Sequence, residues 1–226
     1  MSNKNKILVV AAHPDDEILG AGGTLIKHVK SGDKVFCLIL GEGILSRLGG
    51  KKTDVGKLHF ATQQAGKIIG FKGIYFANFP DNSFDTVSLL VITQEVERYF
   101  RQIKPDIVYT HYGNDLNIDH QLTFQAVLTA GRPCNVDRPR EIYTFETLSS
   151  TEWQFRNSLT FSPNLYVDIE DTINKKVMAF EKYKSEIRLY PHPRSAQGIK
   201  ILAQHRGLEA GLKYAEAYCL IRKISA

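Results

Sequence analysis

The chain is poor in the features that announce a function class. Its three cysteines, Cys37, Cys134 and Cys219, are odd in number and far apart, so they make neither a CxxC pair nor a disulfide framework. Cys37 and Cys219 sit in apolar runs and read as small core residues. No apolar stretch reaches the roughly 18 residues that a membrane-spanning helix needs. The opening MSNKNKILVVAA runs straight into charged HPDDE, so it reads as a first strand rather than a signal peptide. The expected address is therefore the cytoplasm. Lysines and arginines form no long block, and the net charge is only +5. That mild excess suits anionic small substrates, such as phosphate- or nucleotide-linked sugars, and argues against a nucleic-acid partner.

What is present is an alternation of strand-like and helix-like segments. The 226 residues, 43% apolar and 23% charged, suit one domain spanning 1–226. Lys6–Ala12 is a short apolar, β-branched run and reads as a buried strand. A helix over Leu19–Val29 and a second buried strand at Lys34–Leu40 follow. Gly41–Thr53 is glycine-rich and polar, a long loop. The pattern then predicts a helix at Asp54–Ile69 closed by Gly70 and a strand at Ile74–Phe79. A helix over Val87–Ile103 stops before Pro105. Next come a strand at Asp106–His111, a helix at His120–Ala130 and a strand at Glu141–Glu146. Beyond residue 150 the pattern is less regular: a strand at Leu165–Ile169, helices near Thr172–Arg188 and Ala196–Gly211, and a last strand near Tyr218–Arg222. This order implies an α/β fold, a Rossmann-like three-layer sandwich with a mainly parallel sheet. Ligands in such sheets bind outside the carboxyl ends of the strands.

The densest polar chemistry falls at two such ends. Ala12-His13-Pro14-Asp15-Asp16-Glu17 follows the first strand. Imidazole and carboxylate both suit zinc, and a turn begun by Pro14 lets His13 and Asp16 face one point. Asp15, between them, is left to take a proton from water, as metal-assisted hydrolysis requires. The same acids also suit the start of a helix, where the dipole favours negative charge. The fourth strand ends in a second polar run, Tyr109 to His120, where His120 completes a set of three ligands. Asp119 suits a carboxylate behind a ligand histidine. His111 reads as a satisfied strand-end histidine.

Strand-AHPDDE followed about a hundred residues later by a strand and a DH pair resembles the PIG-L/LmbE-type deacetylases, over the fold order of roughly residues 5–150. The resemblance implies zinc-dependent removal of acetyl from an N-acetylated amino sugar, with His13, Asp16 and His120 as ligands and Asp15 as general base. It matches Asp81, after Phe79-Pro80, to an aspartate that contacts the sugar, and more loosely Arg47 to a sugar or phosphate contact. It also implies a trimer or hexamer, and admits iron(II) in place of zinc. Many relatives read HPDH at the second motif; here NIDH puts Asn117 where a histidine helps stabilise the oxyanion. An amide donates a hydrogen bond but carries no exchangeable charge, so the acid is expected to be Asp15 after protonation or a histidine from elsewhere. Tyr190-Pro191-His192-Pro193-Arg194-Ser195 supplies one: two prolines fix the backbone around His192, and Arg194 suits a substrate phosphate or carboxylate. The late PHPRS stretch and DLNIDH together look like a branch tied to bacterial surface-sugar pathways.

Three other functions fit parts of the pattern. A nucleotide-cofactor enzyme would need GxGxxG after the first strand, where HPDDEILGAGG instead sets three acids. A non-enzymatic sugar or nucleotide binder would have no use for the intact His13, Asp15, Asp16 and His120. A metal hydrolase of another small amide or ester is compatible with every motif, because fold does not choose a substrate.

Overall fold

A computed structural model describes residues 4–43, 52–155 and 159–225. Seven strands form one sheet in the order β3-β2-β1-β4-β5-β7-β6. They are β1 (Lys6–Ala11), β2 (Lys34–Gly41), β3 (Gly73–Phe79), β4 (Ile107–His111), β5 (Glu141–Phe145), β6 (Leu165–Asp168) and β7 (Ala215–Lys223). The first five pair in parallel, and β7 runs antiparallel to both β5 and β6. The helices are α1 (Asp16–Lys30), α2 (Lys52–Ile69), α3 (Leu89–Ile103), α4 (Ile118–Ala130), α5 (Ile173–Phe180) and α6 (Ala196–Ala210).

Residue alternation along β1 shows why three layers form. Ile7, Val9 and Ala11 face a core shared with α1, α2, α5 and α6. Leu8, Val10 and Ala12 face a second core with α3 and α4. A strand covered on both sides needs apolar residues at every position, which is why KILVVA is continuous rather than alternating. The chain leaves β1 toward β2 on one side and finds β4 on the other. The strand order reverses there, so a crevice opens at the carboxyl ends of β1 and β4.

Several boundaries differ from the sequence expectation. Helix α1 starts at Asp16, so the AHPDDE motif enters its first turn. Helix α5 ends at Phe180 instead of continuing to Arg188. The chain turns there and buries Tyr183 and Glu186, a tertiary demand that periodicity does not encode. Strand β7 spans Ala215–Lys223, longer than expected. Cys219 is half-buried, while Cys37 lies in the core. No helix among the described residues is long and apolar enough to cross a membrane.

Candidate metal centre

Local backbone geometry builds the first half of the site. After Ala12 the chain turns so that Asp15 adopts a left-handed conformation, φ 109°, which an L side chain takes up only at a cost. The buried Glu17 carboxylate holds it there by accepting from Asp15 N at 3.0 Å. Glu17 is itself gripped by the hydroxyl of Tyr183. Burial pushes the Glu17 carboxyl up to about 7, against these hydrogen bonds. On the same turn, Asp16 Oδ2 accepts from His13 N at 3.0 Å.

One ligand atom from each of His13, Asp16 and His120 lies within 4.8 Å of the others. His120 is fully buried and comes from the first turn of α4. Its Nε2 lies 3.3 Å from Asp16 Oδ2, yet neither this nitrogen nor Asp16 Oδ1 has a hydrogen-bond partner. A buried polar atom left unsatisfied costs about 1–3 kcal/mol. Two of them facing one point, from one imidazole and one carboxylate, fit a divalent cation with nitrogen and oxygen ligands.

Both histidines are backed by a carboxylate. His13 Nε2 bonds Asp119 Oδ2 at 2.9 Å, and Asp119 Oδ1 accepts from Phe84 N. With Nε2 committed, Nδ1 is the His13 atom that faces Asp16, at 3.5 Å. His120 Nδ1 bonds Asp115 Oδ1 at 2.9 Å, leaving Nε2 for the cation. Such partners fix ring orientation and raise ligand basicity. Asp119 therefore serves His13, and the buried Asp115, which the motif reading missed, serves His120. Asp115 also accepts from the Ser150 and Thr151 hydroxyls and from Asn117 N. A carboxylate four residues before a DH pair, in a run this polar, was the available signal.

The electrostatics follow from these contacts. Burial opposes charge on His13, but Asp119 and Asp16 raise it to about 10. Burial likewise opposes charge on His120, and Asp16 and Asp115 raise it to about 9. Burial would lift the Asp115 carboxyl, but His120 and the two hydroxyls hold it at about 2. Asp16 is held well below the usual carboxylate range, because the histidine charges outweigh its burial. His111 stacks on His120 at 3.9 Å, accepts from Ala12 N with Nε2 at 2.9 Å and bonds Thr147 through Nδ1. Burial and the neighbouring His120 keep it neutral, a satisfied strand-end histidine.

Asp15 stands outside this set. Its Oδ2 accepts from Arg194 Nη1 at 3.0 Å, and Arg194 also contacts Glu186 Oε2 at 3.5 Å and bonds Ser149 Oγ at 2.7 Å. Burial drives the Asp15 carboxyl well above its ordinary range, opposed by Arg194 and reinforced by Asp16, Glu186 and Glu17. Arg194 was expected to meet a substrate anion; its guanidinium is instead engaged by Asp15, because the 190–194 segment comes against the turn at Asp15. His192 lies on that segment, its Nδ1 accepting from Arg194 N at 3.0 Å. Burial, Arg188 and Arg194 keep the ring neutral, which puts its proton on Nε2. Asn117 caps α4: its Oδ1 accepts from Asp119 N at 2.8 Å and its Nδ2 donates to Asn82 Oδ1 at 2.9 Å. The carboxamide expected at the oxyanion is thus engaged in structure, since a helix start here needs its first N–H groups satisfied. Asp81 is buried, with Oδ1 3.5 Å from His13 Nε2, so it adjoins a candidate ligand. Together with His13 and Asp119 it forms a second potential ligand set. Arg47 lies outside the described residues.

Known proteins resemble this chain in sequence and in fold. The family profile described as PIG-L: GlcNAc-PI de-N-acetylase matches residues 8–131. The diacetylchitobiose deacetylase of Thermococcus kodakarensis is 27% identical over 93% of this chain and 81% of its own length. Among solved structures, N,N'-diacetylchitobiose deacetylase from Pyrococcus horikoshii superposes with a TM-score of 0.78 at 20% identity, covering 97% of this chain and 84% of that one. GalB, the 4-carboxy-2-hydroxymuconate hydratase of Pseudomonas putida KT2440, superposes with 0.77 at 18% identity, covering 98% of each chain. At such identities the structural likenesses establish the fold and leave the reaction open.

Proposed function

This chain belongs to the PIG-L family of GlcNAc-PI de-N-acetylases, and from that membership we propose that it is a metal-dependent hydrolase releasing acetate from an N-acetylated amino sugar. The observation that carries the reading is the pair of orphaned ligand atoms, Asp16 Oδ1 and His120 Nε2, beside an acid, Asp15, that belongs to neither ligand set. The chitobiose deacetylase of Thermococcus kodakarensis, alike over most of both chains, supports an amino-sugar substrate.

His13 Nδ1, Asp16 and His120 Nε2 would hold the ion, zinc or iron(II). When bound, the ion supplies a Lewis acid that polarises the acetamide carbonyl and acidifies water. Arg194 holds Oδ2 of Asp15, so Oδ1 is the oxygen presented to the attacking water. Asp15 takes a proton from that water as its oxygen adds to the acetamide carbon. The same burial that makes Asp15 a stronger base than an exposed carboxylate also lets it hold the proton, then deliver it to the sugar nitrogen as the C–N bond breaks. Acetate and the free amino sugar leave. With the Asn117 amide engaged in the α4 cap, the Nε2–H of His192 is the side-chain donor assigned to the oxyanion, an effect worth roughly 3–4 kcal/mol per donor. Asp81 is assigned to a sugar hydroxyl.

The test is acetate release across N-acetylated sugars, free and nucleotide-linked, with and without chelator. Release from an acetamido sugar that chelator abolishes supports the reading. Turnover of small non-sugar amides alone would replace the substrate class, and no release from any substrate with metal loaded would overturn the activity.

A further inference from the structure

Trp153 is the single tryptophan of the chain, and its indole is 52% exposed. Two separate paths tie it to the centre. Two residues earlier, the Thr151 hydroxyl bonds Asp115, the carboxylate behind His120. The Trp153 ring also meets the His192 ring in a T-shaped contact with centroids 5.9 Å apart, and His192 is anchored to Arg194, the partner of Asp15. The half-exposed indole therefore stands between the segment that supports Asp115 and the segment that supports Asp15. Other bare apolar groups flank it on the same two segments: Phe155 on one, Leu189 and Tyr190 on the other.

A half-bare tryptophan is a large apolar surface left in water, and it demands a reason. The rim of an amino-sugar site supplies one. A pyranose ring has an apolar face of C–H bonds and a polar edge of hydroxyls, so its site pairs an aromatic plate with a few placed polar groups. Here the plate is Trp153, and the polar groups are His192 Nε2–H and, beside His13, Asp81. We infer that Trp153 is the platform on which the sugar ring stacks during deacetylation, while His192 beside it is held by its own bond from Arg194 N. This rests on the amino-sugar reading above. A platform of this kind binds ground state and transition state alike, so it sets KM rather than kcat.

The single tryptophan makes the test direct. Emission of the metal-loaded Asp15→Asn protein, which binds without turning over, is titrated with N-acetylglucosamine and with N,N'-diacetylchitobiose. A saturable shift in emission is expected. Kinetics of Trp153→Ala and Trp153→Phe provide the second readout: KM should rise about tenfold in the alanine variant and about twofold in the phenylalanine variant, with kcat within about threefold of wild type. Thermal stability should stay close to wild type, because the side chain is half exposed. Emission that responds to neither sugar overturns the platform. So does an unchanged KM in Trp153→Ala while wild type releases acetate, a result that leaves the deacetylase reading intact. An emission shift that follows protein concentration instead of sugar assigns the patch to a contact between copies of the chain and also overturns it. A wild type that shifts its emission with sugar yet releases no acetate keeps the platform and overturns the deacetylase.

Discussion

Asp15 and Asp16 are adjacent, equally buried and chemically identical, yet their surroundings give them opposite properties. Asp16 faces His13, His111 and His120 and is held ionised far below the usual range. Asp15 faces one guanidinium and three carboxylates, and its affinity for a proton is raised. Asp15 pairs with Arg194, whereas Asp16 lies against the three imidazoles. One sequence motif thus holds one carboxylate kept ionised and another whose proton affinity is raised, and the division is made by partners from distant parts of the chain.

Exchanging each acid for its amide breaks the comparison most sharply. Asp15→Asn should bind metal as wild type does and lose about 10²–10⁴ in kcat, the span of a general base. Asp16→Asn should lose metal, read by elemental analysis of the purified proteins. Equal metal loss in both would erase the distinction.

The imidazole side predicts a steep pH dependence of metal uptake. Without metal, His13 and His120 hold protons up to about 10 and about 9, above the ordinary 6.5. Coordination needs neutral rings, so at neutral pH each binding event should release two protons. Affinity should climb by about a hundredfold per pH unit from roughly pH 6.5 to 9. The sign for the metal-free fold is the reverse. Stabilisation from charged His13 and His120 is complete below 6.5 and is lost as pH rises through 9 to 10, so the metal-induced rise in Tm should grow with pH. Calorimetry in buffers of different ionisation enthalpy counts the protons; a count of zero contradicts the charged pairs.

The guanidinium side carries a smaller effect. Arg194→Met removes the group that aims Asp15 and should lower kcat by roughly thirtyfold to a hundredfold, since misplacement of about 1 Å has that scale. Metal content should not change. Arg194→Lys should recover part of the rate, because an ammonium restores the charge without the planar fork. Smaller still, Asp115→Asn leaves His120 its place in α4 but weakens the carboxylate behind it. Metal affinity should fall by about tenfold or a little more, measured by competition with a chromophoric chelator.

These effects also mark what the sequence made legible. The succession of strands and helices follows from local hydrophobic patterns, and the candidate residues His13, Asp15, Asp16 and His120 from short contiguous motifs at strand ends. Arg194 was legible as a presented cation, but its partner is 179 residues away, a choice made by the fold of the 190–194 segment. Asp115 was hidden because Asp119 offered the same chemistry nearer the motif. Asn117 resembled an oxyanion donor, and local capping, a stronger nearby demand, took its carboxamide. Glu17 looked like a helix-start acid, although its work is to hold the backbone of Asp15.

The most direct test is a structure of the zinc-loaded protein with the ion located by anomalous scattering. The account predicts zinc about 2.0–2.2 Å from His13 Nδ1, His120 Nε2 and an Asp16 oxygen, with Asp15 unliganded and still held by Arg194. Zinc on His13 Nε2, Asp81 and Asp119, or zinc ligated by Asp15, would contradict it.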